Sequence, residues 1–203
     1  MQDELVSQPV ELPGGALRVL QPRESAELPD DGPVEWAPLV PYWSVLWRSG
    51  VALARELDGE APGGRRVVEL GCGLAIPSIA AARAGASVLA TDAEPDAVDL
   101  VARNAELNGV EVEATVADWT STPATRELAG RGPFDLVLAA DVLYERPTLA
   151  RMLSLLPRLA PVALLADPSR PTCELFLEQA RERGWAIEST TRGVVDIHRL
   201  RLQ

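Results

Sequence analysis

From residue 66 onward, short β-rich apolar runs alternate with stretches whose apolar residues recur at helical spacing, the pattern of a parallel sheet covered by helices. The strand-like runs are 66–70, 87–91, 111–117, 134–139 and 162–166. Each leads into a turn or a helix, except that 121–132 reads as a loop. Pro77 and Pro95 stand where a first-turn proline belongs, and Gly85 and Gly109 where a helix should stop. Leu149, Met152, Leu153 and Leu156 follow the i, i+3, i+4, i+7 rule for one buried face. Thr172 stands as the N-cap of a helix running to Arg183, with Gly184 ending it. Two more strand-like runs, 185–190 and 194–202, are joined through Thr191-Arg192-Gly193. So short a link predicts an antiparallel hairpin, because a parallel pair needs a crossover of a dozen or more residues.

The first 65 residues are less regular. Residues 6–12 and 16–20 flank Pro13-Gly14-Gly15 and predict a hairpin, whereas 22–41, rich in proline and acid, reads as a loop. Trp43, Leu46, Trp47, Gly50, Val51, Ala54 and Leu57 then keep helical spacing as far as Asp58-Gly59, which reads as a stop. The expected organisation is one domain over 1–203, with an N-terminal extension at 1–42 and a core at 43–203.

Composition narrows the function classes. The chain has 203 residues, enough for one α/β domain, and no apolar run approaches the roughly 20 residues of a membrane span. Its N-terminus, Met1-Gln2-Asp3-Glu4, carries acid where a secretory signal carries base, so a cytoplasmic location is expected. A net charge of −11 repels a phosphate backbone and disfavours nucleic acid as a partner, while a basic protein segment is favoured. The basic residues are all Arg; with no lysine in the sequence, the chain cannot modify a lysine side chain of its own. Cys72 and Cys173 are too far apart for a metal or redox motif. The single histidine, His198, sits in an alternating stretch as an ordinary strand residue, so no metal site and no Ser-His-Asp hydrolase is expected.

The strongest chemical signal is Val67-Val68-Glu69-Leu70-Gly71-Cys72-Gly73, a β run that contains an acid and leads through G-x-G into a helix. Glycines here let backbone pass close to a ligand and take positive φ at the turn. A dinucleotide fingerprint would place Gly or Ala at position 76, but this chain has Ile76 followed by Pro77, too bulky for that approach. Glu69 offers an acceptor for an ammonium group, which S-adenosylmethionine carries and nicotinamide dinucleotides lack. Asp92, at the end of the second strand, can accept from two ribose hydroxyls or serve as an acid favoured near a helix N-terminus. After the third strand, Asp118 can accept from an adenine amino group and Trp119 can cover the ring face; a surface acid and a core indole are the competing readings.

Taken with Ala140-Asp141-Val142-Leu143-Tyr144, these segments resemble the class I S-adenosylmethionine-dependent methyltransferases over residues 41–202. Within that class, Pro41-Tyr42-Trp43 through Trp47 and the D-x-x-Y at Asp141 to Tyr144 are similar to the protein-lysine methyltransferases. The group that includes the electron-transfer-flavoprotein β-subunit lysine methyltransferase also shares Ala166-Asp167-Pro168-Ser169-Arg170-Pro171. One departure is Ala75, where many relatives have another glycine. The fourth strand is followed by Ala-Asp-Val-Leu-Tyr in place of the N/D-P-P-Y/F of enzymes that methylate nucleobase or glutamine amino groups.

The resemblance implies a Rossmann-like α/β fold with a seven-stranded sheet, mostly parallel with a C-terminal antiparallel hairpin, and helices on both faces. It implies S-adenosylmethionine as cofactor, held by Glu69, Gly71, Gly73, Asp92, Asp118, Trp119 and Trp47. Direct methyl transfer to a nucleophile follows, with donor and acceptor about 3–3.5 Å apart in line. A lysine acceptor must first lose a proton, its reference pKa being about 10.4. Asp141 is then expected to orient the amine and Tyr144 to line its channel, against plainer roles as a helix cap and a core aromatic. Asp167 and Arg170 either close the substrate side or form a salt-bridged loop. The acceptor expected first is a protein lysine; a small molecule, and a binding module without activity, are the alternatives.

Overall fold

In the computed structural model the described residues are 4–26, 41–60 and 63–203. The central strands are β-runs with almost no exposed side chain. A strand covered by helices on both faces has no polar side, so its sequence reads as a continuous apolar run. We number them after an N-terminal pair, β1 (Leu5–Val10) and β2 (Leu17–Pro22): β3 (Arg66–Leu70), β4 (Ser87–Asp92), β5 (Glu113–Val116), β6 (Leu136–Ala140), β7 (Val162–Asp167), β8 (Trp185–Arg192) and β9 (Val195–Leu202). The seven-stranded sheet has the order β5-β4-β3-β6-β7-β9-β8. Its first five strands are mutually parallel, whereas β9 runs antiparallel to both β7 and β8.

The helices are α1 (Arg23–Ala26), α2 (Arg48–Glu60), α3 (Ile76–Arg83), α4 (Pro95–Leu107), α5 (Thr122–Gly130), α6 (Arg146–Leu159) and α7 (Pro171–Glu182). Alternate strand residues point to opposite faces, and the core divides accordingly. Val68, Leu70, Val137 and Ala139 pack with Leu128 of α5, Met152 of α6 and Phe176 of α7. Val67, Leu136 and Leu138 pack on the other face with Leu53 and Leu57 of α2 and Ala81 of α3. The predicted seven-stranded, mostly parallel sheet with its C-terminal hairpin and helices on both faces is the fold observed.

Several local expectations are corrected. The stretch 121–132, read as a loop, carries α5; its only fully buried side chain is Leu128, too little to give an apolar period. Trp43, Leu46 and Trp47 precede α2 and are not part of it: Tyr42–Ser44 makes a 3₁₀ turn, Val45 is extended, and the Trp47 indole N–H donates to the Tyr42 carbonyl at 2.8 Å. α2 ends at Glu60, one residue past the Asp58-Gly59 stop, and the Asp58 carboxylate is engaged by Arg83 and by the Gly14 N–H. Thr172 lies inside α7, whose N-cap residue is Arg170, and its hydroxyl donates to the Leu143 carbonyl. The β8–β9 turn is also one residue later than expected, at Gly193-Val194, with Gly193 at φ +66° in the first central position. Of the acidic 22–41 stretch, residues 23–26 form α1, and 27–40 lie outside the described residues.

The β1–β2 hairpin forms a separate two-stranded sheet, joined to the core by side-chain amides. Asn104 of α4, fully buried, accepts from Leu20 N–H at 2.7 Å and donates to Leu20 O and to Leu74 O. Asn108, one turn later, repeats the exchange with Arg18. Two helix amides thus replace a neighbouring strand along β2, and the first of them also holds the loop after β3. No helix among the described residues is long and apolar enough to cross a membrane.

Leaving buried backbone groups without partners costs about 1–3 kcal/mol. Asn104→Ala strands groups on β2 and on the loop after β3, so it should lower unfolding stability by roughly 2 kcal/mol or more in urea titration. Asn108→Ala, exchanging similar bonds at the exposed end, should lower it less.

Candidate active site

The loop after β3 is built from three left-handed or near-left-handed positions: Gly71 at φ +66°, Gly73 at φ +48° and Ala75 at φ +60°. A Cβ at Gly71 would lie 2.9 Å from Val142 Cγ1, and one at Gly73 2.8 Å from the Trp43 carbonyl oxygen. Both glycines are therefore required by space as well as by φ. Ala75 carries the strain of an L residue in the left-handed region. Neighbouring strand ends fix the loop: Cys72 N–H donates to Thr91 O at 2.9 Å and Gly73 N–H to Asp92 Oδ2 at 2.8 Å. The other Asp92 oxygen accepts from Glu94 N–H at 3.0 Å.

Glu69 is 1% exposed and points from β3 toward the start of α3, where Ser78 donates both its N–H (2.9 Å) and its hydroxyl to Oε2. Burial dominates these bonds and pushes the carboxyl up to about 8, with the negative Asp92 adding in the same direction. Burial likewise lifts the Cys72 thiol well above its ordinary range, so it is no nucleophile.

A cavity of about 480 Å³ opens at the C-terminal ends of β3, β4 and β6. Of the residues predicted for the site, Trp47, Glu69, Gly71, Gly73, Asp92, Trp119, Asp141 and Tyr144 all line it. Asp118 does not; it is exposed, and its Oδ1 accepts from Thr120 N–H and Oγ. Sequence reasoning gave no role to Tyr42, Glu94 or Asp96, which also line the cavity. The Tyr42 ring lies 6.4 Å from that of Trp47 and 6.0 Å from that of Tyr144, so the three aromatics form one side of the mouth. Among the described residues the wall therefore carries five carboxylates, Glu69, Asp92, Glu94, Asp96 and Asp141, and no Lys, Arg or His.

Asp141 leaves β6 at φ +63°, with its N–H donating to Ala166 O at 2.9 Å and its Oδ1 paired with Arg170. Tyr144 is half exposed; burial, then the neighbouring Glu145, raise its phenol, which stays protonated near neutral pH. Away from the site, His198 is buried in β9 between Ser189 Oγ (2.8 Å) and Cys173 Sγ (3.5 Å), the position of a satisfied core residue. Among the described residues no cluster of acids, cysteines or histidine has the makings of a metal site.

A family model described as lysine methyltransferase matches residues 43–168. The electron transfer flavoprotein beta subunit lysine methyltransferase of Danio rerio is 37% identical over 118 residues, covering 57% of this chain and 43% of that protein. The chain spans about half the length of the flavoprotein-modifying relatives it matches. Protein N-lysine methyltransferase METTL21A of Danio rerio is 33% identical over 164 residues, covering 76% of this chain and 74% of that protein. Among solved structures, the T. thermophilus 16S rRNA N2 G1207 methyltransferase, in complex with AdoMet and guanosine, superposes with a TM-score of 0.69. It covers 98% of this chain and 51% of that one at 16% identity, a likeness of fold.

The raised Glu69 carboxyl bears on stability. With a folded-state value near 8 against an ordinary 4.5, its contribution is fully present below about pH 4.5 and is lost as pH rises through about 8. Glu69→Gln, which cannot ionise, should flatten that decline in the ligand-free protein. Urea midpoints measured from about pH 5 to pH 9 check this; parallel curves for the two proteins would show that Glu69 is not protonated on folding.

Proposed function

The chain belongs to the lysine methyltransferase family, and on that footing we propose that it transfers a methyl group from S-adenosylmethionine to a protein side chain, lysine first. The observation that carries the reading is the acid-lined wall. With Asp141 paired to Arg170 and the Glu69 carboxyl raised by burial, Asp92, Glu94 and Asp96 remain to repel a phosphorylated ligand and attract a positive one. S-adenosylmethionine brings an ammonium and a sulfonium, and the electrophilic methyl on that sulfonium is the chemistry it supplies when bound.

The residues present fit such a group. Glu69, a buried carboxyl with no cation beside it, takes the ammonium, whose charge would return the acid to its ionised form. Gly71 and Gly73 leave the gap beside the chain that a Cβ would fill. Asp92 already accepts one N–H on each oxygen, and a carboxylate has room for further donors, here the ribose hydroxyls. Trp47 and Trp119 line the wall with apolar surface. Asp118, whose Oδ1 is taken by Thr120, has Oδ2 to offer the adenine amino group from outside the wall.

At the acceptor end, Asp141 holds the incoming amine by its carboxylate and Tyr144 borders its path. The protein's part in the reaction is alignment and desolvation, with the amine's proton passing to solvent water before its nitrogen takes the methyl group. A protein acceptor suits a site whose mouth presents the half-exposed Tyr42 and Tyr144 rings, and the net charge of −11 draws a basic segment toward it. Cys72 and Cys173, both free and buried, fit a cytoplasmic setting.

The test is incubation with S-adenosylmethionine labelled in its methyl group and cell lysate, followed by acid hydrolysis of the protein fraction. Label should be recovered as N-methyllysine, which cannot come from this chain because it has no lysine. Label confined to small molecules, or to methylarginine, would sink the lysine reading. In the same assay Asp141→Ala should transfer roughly a hundredfold less label, while binding S-adenosylhomocysteine as the wild type does in calorimetry.

A further inference from the structure

Among the described residues, three other than glycine have positive φ, namely Ala75, Asp141 and Ser169. Ala75 belongs to the loop after β3; the other two lie after β6 and β7 and bracket one ionic cluster. Each is strained, and such strain persists only where the surroundings enforce it. Asp141 turns at φ +63° with its backbone tied to Ala166. Ser169 turns at φ +61°, and its hydroxyl donates to Asp196 Oδ2 on β9 at 2.6 Å. Between them, Arg170 lies across the ends of the two strands. Its Nη1 pairs with Asp141 Oδ1 and lies 3.3 Å from Asp167 Oδ2, while its own N–H donates to Asp167 Oδ1 at 2.7 Å.

Asp167 is 1% exposed and Asp141 lines the cavity. A brace between two strand ends needs one acid and one base, whereas here two acids share one guanidinium. The cluster is thus left with one formal negative charge, and its edge faces the cavity only through Asp141.

We propose that Arg170 is a positioning residue for the methyl acceptor: it aims the Asp141 carboxylate along the cavity wall and trims the cluster to a single negative charge, the seat of the acceptor's ammonium before its proton is lost. The proposal rests on the lysine reading above. Arg170 engages Asp141 through Oδ1, leaving Oδ2 for the incoming N–H. Without the guanidinium, the two neighbouring carboxylates would repel each other, and the repulsion would turn Asp141 away from the seat. With the guanidinium but without the Asp167 charge, the cluster would be neutral and would hold a cation poorly.

The charge count sets the test. Arg170→Met gives a formal −2, Asp167→Asn gives 0, and the double variant restores −1; the amide introduced by Asp167→Asn keeps an oxygen to accept the residue-170 N–H. The assay is methyl label recovered as N-methyllysine from one batch of lysate protein, with calorimetric binding of S-adenosylhomocysteine confirming that each variant is folded. Arg170→Met and Asp167→Asn should each lose roughly ten- to a hundredfold in rate. The double variant should recover to within about threefold of wild type, and Arg170→Lys should keep most of the rate. A double variant as slow as or slower than the singles, with binding intact, would reduce Arg170 to a brace and overturn the proposal. If the wild type itself yields no N-methyllysine, the lysine reading falls and the seat loses its occupant.

Discussion

The chain lays down β3, β4 and β5 in one direction across the sheet and then returns to place β6 on the other side of β3. At such a reversal the connections after two neighbouring strands diverge, one toward each face, and leave a crevice at their carboxyl ends that no helix covers. Everything in the site depends on this crevice. Glu69 and the glycine loop come from β3, Asp92 from β4 and Asp141 from β6, and each reaches the cavity because it lies at or close to the end of its strand. The non-glycine positive-φ residues lie in loops at this same edge. Strain is concentrated where the backbone is bent to present a side chain or an N–H, and the fully buried strands behind it supply the rigidity that enforces it.

Legibility in the sequence follows burial. β3 is readable to the residue because its apolar run is buried on both faces and glycines punctuate its end, so pattern and turn chemistry agree. α6 is equally plain, with Leu149, Met152, Leu153 and Leu156 all turned into the core. α5 escapes the pattern because one leucine anchors it and tertiary contact supplies the rest. The start of α2 is misplaced by periodicity because Trp43, Leu46 and Trp47 are apolar at helical spacing for another reason. Trp43 and Leu46 pack with the glycine-loop residues from a 3₁₀ turn and the extended stretch after it. Periodicity reports that side chains are buried together, not that the backbone between them is helical.

The cavity lining shows the same division. Glu69, Gly71, Gly73, Asp92 and Asp141 are legible because each occupies a fixed place relative to a strand end, and the strand ends are legible. What the sequence hides are partners brought together from distant parts of the chain. Nothing in it ties Ser78 to Glu69, Asn104 to Leu20, or Tyr42 to Tyr144. Arg170 is the clearest case, since its pairing with Asp141 depends on β6 and β7 being neighbours in register, Ala140 opposite Ala166. Asp118 marks the opposite limit: it follows β5 as expected, yet it lies outside the cavity lining, with its Oδ1 in a local turn with Thr120.

Electrostatics then joins the residues of the cavity wall. Glu69 on β3 and the Asp141–Asp167–Arg170 cluster after β6 each hold acid in excess of base, and Asp92, Glu94 and Asp96 also face the cavity. Like charges gathered in a partly enclosed wall destabilise the empty protein, and Asp92 adds to burial in raising the Glu69 carboxyl. A structure that only needed to fold would gain by replacing them with neutral side chains. A cation bound against this wall would relieve the repulsion. The wall therefore suits a positively charged ligand better than a negatively charged one.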